Sequence, residues 1–256
     1  MPDIVDYNQH AWDQLVARDN EWTRPVSPEQ IAAARAGEWQ IVLTPQRPVP
    51  AAWLQPVQGR RILCLAGAGG QQGPILAAAG ADVTVYDLSP AQLAQDCMVA
   101  ERDGLSLNTV QGDMRDLSAF ADEQFDVIVH PCSNCYVPEL STVWSEAARV
   151  LRPGGYLLSG LTNPASFIFD ETEAEQGRLV VRHRLPYSDE NNLTSAELEK
   201  LRSADEPLMF SHSLEDLIAG QLRAGLRLLD LYEDTWPGTA LAKYMPAYFA
   251  TLSEKA

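Results

Sequence analysis

Between Arg61 and Leu161, short apolar runs alternate with helix-like segments, and this alternation restricts the fold more than any other feature. The five apolar runs read RILCLAG, DVTVYD, LNTVQGD, FDVIVH and YLLSGL. Apolar runs of this length, separated by helical or crossover segments, are typical of parallel strands. The sequence therefore predicts an α/β fold with a doubly wound, mostly parallel sheet that is covered by helices on both faces.

Helix-end signals agree with this alternation. The segment QQGPILAAAG is predicted as a helix that ends at Gly80. In the next helix, Ser89 is the expected N-cap, Pro90 takes the first helical position, Gln92 completes a capping box, and Gly104 ends the helix. A third helix, PELSTVWSEAARVLRPGG, is expected to end at its proline and two glycines.

The region before the first strand has a different character. Helical spacing of apolar residues predicts one helix from Asp6 to about Trp22 and a second from Ser27, with Pro28 at its first position, to Ala36. The linker from Thr44 to Gly59 contains four prolines and favours an ordered surface crossing over a regular element. We therefore expect residues 1–59 to form an N-terminal helical cap and linker, followed by one domain at 60–256.

After Thr162 the alternation stops. Residues 163–209 contain a strand-like segment, RLVVRHRL, and a helix, SAELEKL, and we expect them to form an inserted lid or substrate region. Ser213 and Asp216 then open a capped helix that ends near Gly225. The runs LRLLDLYED and AYFATLSEK are predicted as an antiparallel hairpin at the sheet edge, which brings the sheet to seven strands.

Charge and composition exclude several classes of partner. The 19 basic and 35 acidic residues give a net charge of −16, which disfavours nucleic acid and anionic membrane surfaces as partners. The sequence has no long uncharged apolar stretch, and its first residues are acidic and polar, unlike a signal peptide. Four cysteines in a chain of this size indicate reduced thiols. We expect a cytoplasmic monomer or homodimer.

The predicted strand ends gather the residues that can bind a ligand. In open parallel sheets, ligands bind at the carboxyl ends of the strands. The first strand leads to the loop from Ala66 to Gly70, the second ends at Asp87, the third at Asp113 and the fourth at His130. Glycines let a backbone pass close to a ligand, and a carboxylate at the second strand end can accept hydrogen bonds from both hydroxyls of a ribose. This pair predicts a nucleoside site; tight strand-helix packing is the alternative explanation of the glycines.

Two further positions narrow the choice of cofactor. Asp113 is placed to accept a hydrogen bond from an adenine amino group, with the backbone N–H of Met114 facing a ring nitrogen; a helix N-cap is the alternative role of Asp113. A dinucleotide fingerprint requires glycine where this chain has Gln72. The chain also lacks a Tyr-x-x-x-Lys pair. A nicotinamide-dependent oxidoreductase is therefore the weaker hypothesis.

In the order and spacing of its motifs, the chain from Arg61 to Gly160 resembles the class I S-adenosylmethionine-dependent methyltransferases. The matching pieces are ILCLAGAGG, VTVYDLS, QGDMRDL, FDVIVHPCSNCYV and ARVLRPGGYLLSG. The resemblance, closest in style to the quinone-biosynthesis-like branch, implies a Rossmann-like sheet with an antiparallel last strand. It also implies S-adenosylmethionine as cofactor and S-adenosylhomocysteine as product. The cofactor-binding residues that it implies are Ala66, Gly67, Ala68, Gly69, Gly70, Asp87, Leu88, Asp113, Met114, His130, Pro131, Tyr7 and Trp12.

The glycine loop departs from that family's pattern. The family has an acid two residues before the first glycine and glycine at alternate positions after it, whereas this chain has Cys64, Ala66 and Ala68 there and retains Gly70. The missing acid removes a carboxylate contact to the amino group of the cofactor from this strand. The neighbouring glycines at positions 67 and 69 are expected to compensate for the two alanines.

Methyl transfer requires contact between nucleophile and methyl group in a dry pocket, and no fixed triad. If a general base is used, His130 beside the expected methyl position is one candidate, and His10 on the first helix, in a lid with Tyr7 and Trp12, is the other. A core or capping role for His130 and plain packing of the first helix are the alternatives.

The pair Cys132 and Cys135 permits a zinc or redox interpretation, but a single C-x-x-C does not supply four metal ligands. The simpler interpretation is that the two cysteines are small residues lining the methyl pocket. No metal is therefore expected. The leading hypothesis is methyl transfer to a small-molecule acceptor through an oxygen, nitrogen or carbon nucleophile. The non-enzyme hypothesis is a regulatory module that binds the nucleoside without catalysis.

Overall fold

A seven-stranded sheet lies at the centre of the computed structural model, which describes residues 3–256. The strands are β1 (Arg61–Leu65), β2 (Asp82–Asp87), β3 (Asn108–Gln111), β4 (Phe125–His130), β5 (Leu151–Thr162), β6 (Leu226–Asp234) and β7 (Tyr248–Lys255). Their order is β3-β2-β1-β4-β5-β7-β6, and β7 runs antiparallel to both of its neighbours. The order reverses between β1 and β4, the point at which such sheets bind ligands.

Ten helices are present in the described residues. They are α1 (Ile4–Ala17), α2 (Pro28–Arg35), α3 (Ala51–Leu54), α4 (Gln72–Ala78), α5 (Pro90–Asp103), α6 (Ser141–Val150), α7 (Glu171–Glu175), α8 (Asp189–Asn192), α9 (Ser195–Ser203) and α10 (Gly220–Arg223). A π-helical turn, Glu215–Ala219, directly precedes α10. No helix among residues 3–256 has the length and apolar character that crossing a membrane requires.

The side chains of β1 alternate between two hydrophobic cores, one on each face of the sheet. Ile62 and Cys64 belong to the core that includes α2, α4 and α5, whereas Leu63 and Leu65 belong to the core beneath α6. All four are almost completely buried. A strand that is covered on both faces must be apolar at every position, which explains the continuous apolar run.

The local signals at the helix ends are mostly confirmed. Ser27 and Gln30 form a capping box at α2, and Gly104 adopts the left-handed conformation (φ 61°) after α5. Ser89 caps α5 by accepting from the backbone N–H of Gln92. The predicted second half of that capping box is wrong, because Gln92 Oε1 instead accepts from the N–H of Gly69 at 2.7 Å.

Four predicted boundaries or elements differ from the structure. The first helix ends at Ala17, since Asn20 opens a separate 3₁₀ turn by accepting from the N–H of Trp22. The prolines of the linker still allow one short helix, α3. The helix before β5 ends at Val150, and the following LRPGG segment belongs to the strand. The segment RLVVRHRL is not a strand: it makes one isolated bridge, Val181 to Phe169, and lies on the surface.

The last two strands form an antiparallel pair, as predicted, but not a simple edge hairpin. β7 is inserted between β5 and β6, and a long connection from Thr235 to Ala247 joins the pair. Only β7 is therefore reversed, because β6 runs antiparallel to β7 and thus parallel to β5.

Candidate cofactor-binding site

A cavity of about 460 Å³ lies at the carboxyl ends of β1, β2 and β4. Its lining comes from α1, the linker at 42–45, the loops after the strands, the inserted segment 163–209 and β7. Eight of the residues implied by the family resemblance line it: Trp12, Ala66, Ala68, Asp87, Leu88, Asp113, Met114 and Pro131. The structure therefore brings most of the predicted site residues together at one place.

The loop after β1 takes left-handed backbone conformations at alternate positions. These positions are Ala66 (φ 49°), Ala68 (φ 55°) and Gly70 (φ 72°). Left-handed conformations are costly for residues with a Cβ, so two alanines carry strain at positions where the family has glycine. Gly67 and Gly69 do not adopt left-handed φ angles, so they do not remove the strain at Ala66 and Ala68.

Two glycines of this loop are required by close packing. A Cβ on Gly69 would lie 2.3 Å from the carbonyl oxygen of Gln92, and one on Gly70 would lie 2.6 Å from Pro25 Cβ. The N–H of Val26 also donates to the carbonyl of Gly70 at 2.9 Å. The loop is thus held between α5 and the N-terminal cap.

Asp87 ends β2 and lines the cavity, as predicted. Its Oδ1 accepts from the N–H of Ser89 at 2.9 Å. Burial raises the pKa of Asp87 to about 6, and nearby Asp13 adds to the rise while the N–H groups of Ser89, Leu88 and Gly67 oppose it. At neutral pH the carboxylate is ionised and can accept hydrogen bonds from two hydroxyls.

Asp113 lines the same cavity, after β3, and its carboxylate already has protein partners. Oδ1 accepts from the N–H of Arg115 at 2.9 Å, and Oδ2 pairs with the Arg115 guanidinium at 2.5 Å. Asp113 therefore caps a turn, but no helix of the described residues begins there, so the alternative helix N-cap role is wrong. The adenine contact stays a prediction, which the position of Asp113 and Met114 in the lining allows.

Gln72 is a cavity residue that sequence reasoning used only to argue against a dinucleotide. Its side chain is 4% exposed, and Nε2 donates to the carbonyl of Val42 at 3.2 Å. Its Oε1 is buried and has no hydrogen-bond partner among the described residues. A buried acceptor without a donor costs about 1–3 kcal/mol. A ligand N–H donor would remove that cost, so this unpartnered acceptor fits the ammonium group of S-adenosylmethionine.

His130 does not line the cavity. It is completely buried, with Nδ1 2.8 Å from the carbonyl oxygen of Leu65 and Nε2 3.0 Å from Asn134 Oδ1. Burial lowers the pKa of His130, which favours the neutral ring. The contact with Leu65 joins the ends of β1 and β4, and both ring nitrogens have protein partners. The predicted catalytic and cofactor-binding roles of His130 stay predictions.

Of the three α1 residues that the sequence analysis singled out, the structure places only one in the cavity lining. Trp12 lines the cavity and packs edge-on against Tyr136, with ring centroids 5.1 Å apart. Tyr7 and His10 lie outside the lining. The Tyr7 hydroxyl donates to the carbonyl of Glu206 at 2.8 Å, and His10 is exposed, with Nε2 3.6 Å from Asp205 Oδ1.

Cys132 and Cys135 both line the cavity as free thiols. Burial raises the pKa of Cys135 to about 12 and that of Cys132 well above its ordinary value. Across residues 3–256 no group of three or more His, Cys, Asp or Glu side chains is arranged to hold a metal ion. The two thiols are neutral wall groups in this geometry.

Sequence reasoning missed much of the remaining lining. These residues are Asn8, Thr44, Gln72, Arg115, Tyr136, Glu171, Met209, Trp236 and Tyr248. They come from the cap, the linker, α4, the loops after β3 and β4, the insertion, the β6–β7 connection and β7, and it is the tertiary fold that brings these segments together. Among these segments, only the linker had a local sequence signal, because its prolines indicated an ordered surface crossing.

Comparison with known proteins gives relatives over the whole chain. The family model described as Methyltransferase domain matches residues 63–159. A Bacillus subtilis (strain 168) protein named Uncharacterized methyltransferase YbaJ is 50% identical over 252 residues, which cover 98% of each chain. The Ubiquinone biosynthesis O-methyltransferase of Xanthomonas oryzae pv. oryzae (strain PXO99A) is 32% identical over 176 residues, covering 61% of this chain and 71% of that one.

Solved structures show the same fold. A S-adenosylmethionine-dependent methyltransferase from Mesorhizobium loti superposes with a TM-score of 0.60 at 16% identity, covering 79% of this chain and 94% of that one. The 1,6-didemethyltoxoflavin-N1-methyltransferase of Burkholderia thailandensis, solved with bound S-adenosylhomocysteine, has a TM-score of 0.58 at 14% identity, covering 98% and 88%. The predicted Rossmann-like fold with an antiparallel last strand is confirmed. The chain belongs to the S-adenosylmethionine-dependent methyltransferase family.

Proposed function

We propose that this methyltransferase acts on a small, aromatic or apolar acceptor that carries no negative charge. The observation that carries the proposal is the aromatic part of the cavity lining, which includes Trp12, Trp22, Tyr136, Trp236 and Tyr248. Aromatic walls favour flat apolar molecules. A cavity of about 460 Å³ suits a small molecule together with part of a cofactor.

The charges of the lining support the same choice of acceptor. Among the described residues, the lining contains one basic side chain, that of Arg115, and it is paired with Asp113. Glu171, from the inserted segment, adds a carboxyl group to the lining. The described lining therefore offers no unpaired protein cation to a carboxylate or phosphate on the acceptor, which makes burial of such a group unfavourable.

Bound S-adenosylmethionine supplies an electrophilic methyl group on a sulfonium sulfur. The residues of this chain bind and orient it: Asp87 accepts from the ribose hydroxyls, the backbone around Met114 borders the adenine, and Gln72 Oε1 accepts from the ammonium group. Asp87, Met114 and Gln72 all belong to the cavity lining, and Gln72 Oε1 has no hydrogen-bond partner among the described residues.

The chain promotes the transfer by position and by exclusion of water. α1 and the inserted segment 163–209 both contribute to the lining, so they close the cavity over the strand ends. The thiols and phenols of Cys132, Cys135, Tyr136 and Tyr248 have raised pKa values through burial and stay neutral. Holding two reactants in contact inside a dry pocket lowers the barrier without a dedicated base.

The two histidines have different places in this proposal. His130, at the end of β4, contacts Leu65 at the end of β1 and Asn134 in the loop that follows β4, so it positions this part of the cavity. His10 lies on the outer side of the cap near Asp205 and takes no part in the chemistry. In this proposal neither histidine is a general base: His130 is a positioning residue, and His10 is a surface residue.

The location and assembly of the protein are also part of the proposal. All four cysteines are free, which suits the reducing environment of the cytoplasm. The net charge of −16 argues against a nucleic-acid acceptor. A monomer or homodimer fits a cavity whose lining comes from a single chain.

The experiment is a turnover screen with S-adenosylmethionine and a panel of neutral phenols, aromatic amines, thiols, carboxylates and phosphate esters, read out as S-adenosylhomocysteine by mass spectrometry. We expect product with neutral or cationic aromatic acceptors, and much less product from the Asp87→Ala variant when S-adenosylmethionine is limiting. Preferential turnover of carboxylates or phosphate esters would contradict the proposal. Cofactor binding without product from any class would favour the regulatory module.

A further inference from the structure

Asp96, on α5, is a buried carboxyl group that neither the cavity lining nor the proposed chemistry uses. Its side chain is 1% exposed. Neither carboxyl oxygen makes a hydrogen bond with any described residue, although the N–H of Gly70 approaches and favours the ionised form. Burying an unpaired carboxylate is costly, so the group is protonated unless a positive charge is near.

This carboxyl lies directly behind the cofactor loop. A Cβ on Gly73 would lie 3.2 Å from Asp96 Oδ1, so the beginning of α4 packs on the carboxyl. One helical turn earlier on the same face of α5, Gln92 Oε1 accepts from the N–H of Gly69. α5 thus presents two polar side chains in succession to the underside of the loop.

Asp96 also lies close to the position at which the loop has lost its acid. Cys64 occupies that position near the end of β1. The pKa of the Cys64 thiol is raised by burial and further by Asp96, which places the two side chains within electrostatic reach of each other. A carboxyl group is therefore present beneath the loop, but it comes from α5 and not from β1.

A charge in the cavity affects the pKa of Asp96. Burial, with a smaller contribution from the cavity-lining Asp87, raises the pKa of Asp96 to about 8, and the N–H of Gly70 opposes the rise. The titratable groups that face Asp96 are Cys64 from β1 and Asp87 from β2, and no cation of the described residues offsets them. Because a negative charge in the cavity raises the pKa of Asp96, a positive charge there lowers it.

We propose that Asp96 is the acid of the cofactor loop in this chain: it is neutral in the free protein and ionises when cationic S-adenosylmethionine binds, releasing its proton to solvent. The inference rests on the proposed cofactor contacts and adds to them a residue that acts through the loop. Asp96 is a positioning residue, since it neither lines the cavity nor touches the reacting atoms.

The test is the proton balance of binding, measured by calorimetry at pH 7 in buffers of different ionisation enthalpy. The ligands are S-adenosylmethionine, with its sulfonium and ammonium charges, and 5′-methylthioadenosine, which has the same nucleoside without either charge. We expect the wild-type protein to release roughly one proton with the first ligand and almost none with the second. The Asp96→Asn variant, which keeps the shape of the side chain, should release none with either ligand.

Equal proton release from both ligands, or no release on binding of S-adenosylmethionine, would overturn the role of Asp96. The comparison of the two ligands on wild-type protein decides this even if the variant does not fold. Release that persists unchanged in a folded Asp96→Asn variant would also overturn it. If S-adenosylmethionine does not bind to the wild-type protein at all, the proposed cofactor contacts themselves are wrong, a result distinct from binding without proton release.

Discussion

The side-chain amide of Asn8 pairs with both backbone groups of Leu208, 200 residues away. Asn8 Nδ2 donates to the carbonyl of Leu208 at 3.1 Å, and the N–H of Leu208 donates to Asn8 Oδ1 at 2.8 Å. Asn8 Nδ2 also donates to the carbonyl of Tyr136 at 3.0 Å. One buried side chain therefore joins α1 to the end of the inserted segment and to the loop after β4, at the wall of the cavity.

Replacing Asn8 by alanine should loosen this closure. Three hydrogen bonds are lost and buried backbone groups are left without partners, so we expect the free energy of unfolding to fall by about 2–3 kcal/mol. Urea unfolding measures the change, and Gln9→Ala on the same helix is the control, with an expected loss below about 1 kcal/mol. A loss no larger than that of the control would contradict the closing role of Asn8.

Glycine at Ala66 or Ala68 should be tolerated. The left-handed conformation costs an alanine about 1 kcal/mol, which glycine avoids, and this gain offsets the extra freedom of glycine in the unfolded chain. We expect each change to alter the free energy of unfolding by less than about 0.5 kcal/mol. The control is Ala94→Gly in the exposed interior of α5, which should cost about 1 kcal/mol. Equal losses at the three sites would show that the loop alanines are not strained.

Gln72→Leu should weaken one group of ligands selectively. The change removes the buried Oε1 that we assign to the ammonium group, and a hydrogen bond to a charged group contributes about 1.5–3 kcal/mol. We expect the Kd of S-adenosylhomocysteine to rise by about 10-fold or more. The Kd of 5′-methylthioadenosine, which has no ammonium group, should stay within about twofold. Equal weakening of both ligands would instead indicate a general distortion of the loop.

Cofactor affinity should fall in mild acid because of Asp87. Burial raises the pKa of Asp87 to about 6, and only the ionised carboxylate accepts from both ribose hydroxyls. Affinity should therefore be flat above that pKa and fall as pH drops below it, by up to about tenfold per pH unit. Calorimetric titration of 5′-methylthioadenosine between pH 5 and 8 checks this, because the ligand has no amino-acid group to titrate. A pH-independent Kd in the wild-type protein would contradict the assignment.

The same raised pKa has the opposite effect on the stability of the free protein. Between the unfolded pKa of about 4 and the folded pKa of about 6, the folded state binds more protons than the unfolded state. The contribution of Asp87 to stability therefore decreases as pH rises through this window. Asp87→Asn should flatten this part of the curve of unfolding free energy against pH; an unchanged curve would show that Asp87 does not titrate there.

Local signals were sufficient where an element is decided by its own residues. The buried strands β1 and β4, the capping box at Ser27 and the glycine end of α5 were all predicted, because each depends on apolar runs or on neighbours within one turn. Asp87 at the end of β2 was predicted for the same reason. The order of these elements along the chain was enough to identify the fold and the cofactor.

Contacts between distant segments were not predictable in this way. Gln92 looked like half of a capping box, yet its side chain turns to Gly69 because the cofactor loop packs on that face of α5. RLVVRHRL has the composition of a strand but finds no neighbouring strand to pair with, so Val181 stays exposed. The insertion of β7 between β5 and β6 likewise depends on the whole sheet.

The most direct test of the central claim is a calorimetric titration of the purified protein with S-adenosylmethionine, on wild type, Asp87→Ala and the exposed control Asp82→Ala at the start of β2. We predict saturable binding to the wild type and the control. Loss of two charge-assisted hydrogen bonds should weaken binding to Asp87→Ala by about 100-fold. No binding to the wild type, or equal binding to all three proteins, would contradict the placement of the cofactor at this site.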